Sequence, residues 1–211
     1  MASLKINSDK GMLYSTNKNT DKFLRDSVGF LRQNKAHLKL LNHHDRFGLY
    51  IYEDRELRIS RPEKFLKPTK SWLDTYVHEY CHFLQSYYET PIYKTYWKPL
   101  KSIIYTEKDL KTSNQKLIET QMHIIRQMET ECCKMSIGLI KFYDLPINII
   151  QSAKVSNAYI FYHHLVEENK TWKCKDYYSR NILSCMPTRI QSNYAEKMPK
   201  KYYKIMSKCF E

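Results

Sequence analysis

The chain has 211 residues, long enough for one domain with a real core and short for two. Four glycines and seven prolines exclude a fibrous or low-complexity chain, and 42% apolar with 14% aromatic residues exclude a disordered one. Lysine and arginine outnumber aspartate and glutamate by 35 to 22, a formal charge of +13 that draws the chain towards phosphate backbones, anionic lipid or acidic proteins, with a soluble basic surface as its simplest expression.

The first 20 residues are polar and read as a loose arm. MASLKINSDKGMLYS shows no apolar run followed by small residues, so no secretory signal is expected, and no stretch approaches the roughly 18 apolar residues of a membrane span. An intracellular or particle-packaged protein with no membrane partner is the expectation. Phe23, Leu24, Val28 and Leu31 recur at helical spacing and predict a first helix from Asp21, capped by Thr20 or Asp21. Phe47 to Tyr52 and Glu56 to Ser60, separated by Glu53-Asp54-Arg55, predict a β-hairpin. After Pro62 and Pro68, Thr69 or Ser71 is a candidate cap for a helix over about Ser71 to Tyr88. Its Leu73, Val77, Cys81 and Leu84 form one apolar stripe. Pro91 and Pro99 mark an irregular aromatic stretch, a long helix is predicted from Ser113 to Phe142, stopping near Pro146, and Ile147 to Glu168 reads as helix again. Short apolar groups alternate with lysines through the last 40 residues. The whole reads as a single α+β domain over 1–211, predominantly helical, with a small hairpin ahead of the motif helix.

That motif helix carries His78-Glu79-Tyr80-Cys81-His82, an HExxH match that chance would supply roughly 0.02 times in a chain of this composition. Histidines four apart stack on one helix face and can reach the same Zn²⁺ ion, while Glu79 between them is angled to serve as general base to a water at the metal's open position. A catalytic zinc takes a third protein ligand, and FLQSYY after His82 offers no histidine at the short metzincin spacing. Glu129 is the leading candidate, because Met122, Ile125, Cys132 and Ser136 share its helix face and a carboxylate on such a stripe needs a partner. Glu131 and then Glu119 are the alternatives. Tyr159 and His163, one turn apart in NAYIFYHHLVEE, together with His164, are the compact candidates for donors to a developing oxyanion; the competing reading is core aromatics and a polar His163-His164 edge. His43-His44 reads as a solvated loop. The six cysteines lack CxxC spacing and read as core thiols, with Cys132 and Cys133 pointing to different faces.

HEYCH followed by Glu129 resembles the gluzincin branch of zinc metallopeptidases, and HEYCHFLQ with the later ETEC and NAYIFYHH is similar to small zincin-like proteins encoded by tailed phages. The resemblance covers about Phe47 to His164. It implies a zincin-like core, His78, His82 and Glu129 as ligands, a peptide or protein substrate bound along an edge strand, and a place in the host cytoplasm or the virion. Gluzincins often carry an aspartate or small residue four after the ligand glutamate to support the first histidine; here that position is Cys133.

Two other readings stand beside the zinc hydrolase. One is a zincin scaffold that keeps metal without turnover and serves as a virion or assembly component. The other is a nucleic-acid or acidic-partner binder, because residues 170–211 hold ten Lys or Arg against three Asp or Glu, with Trp172, Tyr177, Tyr178, Tyr194, Tyr202 and Tyr203 available for base stacking.

Overall fold

The computed structural model describes residues 17–41, 48–60, 70–98, 106–174 and 176–210. It is predominantly helical, with a small three-stranded sheet ahead of the HExxH helix, the α+β class read from the sequence. Two compact units partition the chain: Met1–Tyr88 with Met135–Asn148, and Glu89–Lys134 with Ile149–Glu211. His43-His44 and the proline loop of Pro62 and Pro68 lie outside the described residues.

In the first unit, α1 spans Lys18–Gln33. It starts three residues before the expected boundary because Asn17 caps it, its side chain accepting from the backbone N–H groups of Asn19 and Thr20. Thr20 is buried within the helix and the polar stretch up to residue 20 therefore ends in ordered structure. Phe23, Leu24, Val28 and Leu31 are buried as their spacing predicts. The Phe23 ring meets Tyr76, Tyr80 and Tyr143 edge-on, with centroids 5.7, 5.9 and 5.1 Å away.

The hairpin forms as β2 (Gly48–Ile51) and β3 (Glu56–Ser60), antiparallel, with Leu49 opposite Arg58. A strand the sequence reading did not anticipate, β1 (His37–Leu41), pairs parallel with β3, giving the order β1-β3-β2. Its five residues, HLKLL, carry too short a pattern to announce a partner that follows only after another strand.

Helix α2 spans Lys70–Tyr87. Ser71 lies inside it rather than capping it, its carbonyl accepting from Thr75 Oγ1; Thr69 is outside the described residues. Leu73, Val77 and Cys81 are buried, but the stripe continues through Phe83, while Leu84 is only half-buried. Trp72 anchors the helix to the sheet by donating its indole N–H to the Ser60 carbonyl at 2.6 Å.

A short α3 (Glu107–Thr112), opened by a Thr106–Asp109 capping box, precedes α4 (Gln115–Phe142). Asn114 accepts from the Leu117 N–H, which starts α4 two residues after the expected Ser113. The helix closes where Asp144 adopts a left-handed φ of 49° and the Leu145 N–H bonds back to the Ile140 carbonyl, just ahead of Pro146. Residues of α4 up to Lys134 belong to the second unit and those from Met135 to the first.

The second unit is built on α4, α5 (Ile149–Asn169), α6 (Arg180–Cys185) and α7 (Lys200–Met206). Ile118, Met122, Phe161, Leu165, Tyr202 and Met206 are among the residues of its core. The terminal alternation of apolar residues and lysines thus folds into short helical pieces: Tyr194, at the end of a 3-10 turn over Ser192–Tyr194, and Tyr202 of α7 pack on the Phe161 ring at 5.1 Å each, as core residues rather than stacking surfaces. Within this core Arg126 is buried, its Nε donating to the Ala195 carbonyl at 2.9 Å and its guanidinium paired with Glu167. The expectation of six core thiols holds for four: Cys185 is exposed and Cys174 half-buried, and none of the six is in a disulfide.

Candidate metal centre

The face of α2 made by Thr75, Glu79, His82 and Ser86 repeats at three- and four-residue steps, and β2 runs against it. Gly48 meets Thr75 and Glu79, the Tyr50 hydroxyl lies 3.1 Å from Ser86 Oγ, and the Tyr52 hydroxyl reaches within 3.3 Å of His82 Nδ1. This packing buries Glu79 and His82, at 7% and 8% exposure, while His78 stays half-buried. The two imidazoles lie one turn apart with ring centroids at 4.8 Å and planes perpendicular. His82 Nδ1 is 2.8 Å from Oε1 of the fully buried Gln85.

On α4, Met122, Ile125, Cys132 and Ser136 are all buried, so the face assigned to Glu129 is an interior one, and Glu129 itself is 9% exposed. Two sets of donors are able to hold a metal ion among the described residues: His78, His82 and Cys132 form one, and His78, Glu129 and Cys133 the other, with each set's ligand atoms within 4.8 Å of one another. Glu131 belongs to neither; it is half-buried and accepts from Thr90 Oγ1 at 2.6 Å. Glu119 is exposed and accepts from Gln115. Cys132 and Cys133 are buried, as expected of core thiols, but each also enters a donor set, which the sequence reading did not foresee. Their separate memberships follow from the 100° step between neighbouring helical residues, which sends them to different faces.

Tyr159 and His163 share a face of α5, with ring centroids 4.5 Å apart. His163 is 2% exposed, so the polar-edge alternative does not describe it. Burial pushes its pKa down to about 4, against the pull of the nearby Glu129 carboxylate, and leaves it neutral. His164 points elsewhere and donates from Nε2 to the Tyr194 carbonyl at 2.7 Å. Tyr177 also feels the Glu129 charge, and burial raises its phenol pKa so that it remains an O–H donor. It stacks on Tyr162 with centroids 4.3 Å apart and planes 5° off parallel. In a chain with 18 tyrosines, nothing in the sequence separated this one from its neighbours.

The chain matches no protein-family model, no curated protein and no solved structure. Among the described residues no helix is long and apolar enough to cross a membrane.

Proposed function

We propose that the chain is a zinc-dependent peptidase or amide hydrolase in which His78, His82 and Glu129 are the ligands and Glu79 the general base. The observation that carries this reading is a buried carboxylate, Glu79, flanked on one helix by two imidazoles that enter donor sets with a second carboxylate and two thiols. Zinc suits imidazole, carboxylate and thiol donors, and when bound it lowers the pKa of a coordinated water towards neutrality. Glu79, placed between the histidines and off their line, accepts the water's proton and returns it to the leaving amine. Tyr159 and His163 supply an O–H and a neutral ring N–H for the developing oxyanion. β2 is an edge strand among the described residues, which suits an extended peptide added as a further strand. The resemblance of HEYCH with Glu129 to gluzincins, and of HEYCHFLQ with ETEC and NAYIFYHH to small phage-encoded zincin-like proteins, supports the same chemistry, with the host cytoplasm or the virion as its setting.

One observation favours a second reading. Cys132 shares a donor set with both HExxH imidazoles. If Glu129 and Cys132 bind together with the histidines, four protein ligands close the site, and closed sites are structural rather than catalytic. The chain would then be a metal-bearing scaffold in an assembly.

The test is turnover of a mixed peptide library by zinc-loaded protein and by Glu79→Gln. Cleavage lost in the variant with zinc retained supports the hydrolase; cleavage unchanged in the variant removes Glu79 from its role, and no cleavage by either favours the scaffold.

A further inference from the structure

Gln85 sits on α2 one turn after His82 and is fully buried. A buried amide is held by hydrogen bonds, and this one places Oε1 2.8 Å from His82 Nδ1. A carboxamide oxygen only accepts, so the ring nitrogen facing it must carry the proton. The neutral imidazole has one N–H to give, and giving it at Nδ1 leaves Nε2 with its lone pair for a metal. The Tyr52 hydroxyl, 3.3 Å from the same Nδ1 and with its ring 6.4 Å from the imidazole, lines the same side of the ring. Both neighbours therefore hold the Nδ1 edge of the ring.

We infer that Gln85 is a positioning residue for the metal centre: it fixes His82 in the tautomer protonated at Nδ1, orients its ring, and raises the basicity of Nε2. This rests on the metal-binding reading of His78 and His82 and adds the group that prepares one of them. Residues that hold a ligand histidine by its second nitrogen typically change metal affinity 10–100-fold when removed. The i, i+3 spacing gives the reason for the residue type: a glutamine side chain spans one turn and ends in an acceptor, whereas leucine of similar volume fills the space and offers none.

The experiment is competition of zinc against a chromophoric chelator for the wild type, Gln85→Leu, Gln85→Glu and His82→Ala, with thermal unfolding recorded for each. The expected result is a 10–100-fold weaker zinc affinity for Gln85→Leu, affinity kept or tightened for Gln85→Glu, which retains an acceptor, and loss of zinc in His82→Ala. Wild-type affinity in Gln85→Leu with zinc lost in His82→Ala would overturn the role of Gln85 and leave the metal reading intact. Zinc retained in His82→Ala would overturn both. Should Gln85→Leu fail to fold, two-bond proton–nitrogen correlation spectra of the metal-free wild type decide the matter: a proton on Nδ1 of His82 supports the inference, and a proton on Nε2 contradicts it.

Discussion

Gly48, the first residue of β2, lies directly against Glu79: a Cβ at Gly48 would stand 2.7 Å from Glu79 Cγ, 2.9 Å from its Oε1 and 2.5 Å from Thr75 Cγ2. Any side chain there must push the strand off the helix or move the carboxylate proposed as general base. Gly48→Ala should therefore destabilise the protein by about 1–3 kcal/mol, the usual cost of overpacking a tight contact, while leaving zinc content unchanged. Gly29, inside α1 with nothing within 4 Å of its missing Cβ, is the matched control. Gly29→Ala should raise stability by about 0.5–1 kcal/mol. Urea unfolding of the two variants checks the opposite signs.

The pairing of Arg126 with Glu167 predicts a larger loss. The guanidinium is 5% exposed by side chain, and the Ala195 carbonyl alone cannot balance its charge. Glu167→Ala should cost about 3 kcal/mol by leaving a buried cation without its counter-ion. Glu167→Gln, which keeps an acceptor for the guanidinium, should cost less. Chemical denaturation midpoints for the pair measure the difference.

The pH dependence of stability has a definite sign at His164. Burial, aided by the Arg126 charge, lowers its pKa from 6.5 to about 4, so between those values the unfolded chain binds a proton that the folded chain does not. Stability from this group is present above pH 6.5 and falls as the pH drops towards 4, where the penalty levels off. His164→Gln keeps an N–H for the Tyr194 carbonyl and does not titrate. Between pH 7 and pH 5 it should lose less stability than the wild type by on the order of 1 kcal/mol, allowing for the partial exposure of the ring. Equal losses in the two proteins would remove His164 as the cause.

Cobalt substitution separates the hydrolase from the closed scaffold. The hydrolase account predicts no thiolate charge-transfer band in the near ultraviolet of the cobalt-loaded protein, because Glu129 is the third ligand. A strong band that disappears in Cys132→Ser would identify Cys132 as a ligand and favour the scaffold.

Helical periodicity made the interior faces of α1, α2 and α4 legible. The four neighbours assigned to Glu129 are all buried because spacing alone fixes which residues share a helix face. The HExxH spacing likewise placed His78 and His82 together. Non-local relationships were not legible. Gly48 in FGLYIY reads as an ordinary strand residue until the fold brings α2 against it, and β1 has no local sign of its parallel pairing. Nor did spacing connect Gln85 with its histidine, because i, i+3 pairs are common on helices and most are solvated. In the terminal 40 residues the apolar groups are too short to show a period, so Tyr194 and Tyr202 resembled surface aromatics when they are core.

The most direct test of the central claim is elemental analysis of the untagged, folded protein beside His82→Ala and Glu129→Ala. One zinc per chain is expected in the wild type, and its loss in both variants. Folded wild-type protein with no stoichiometric metal would contradict it.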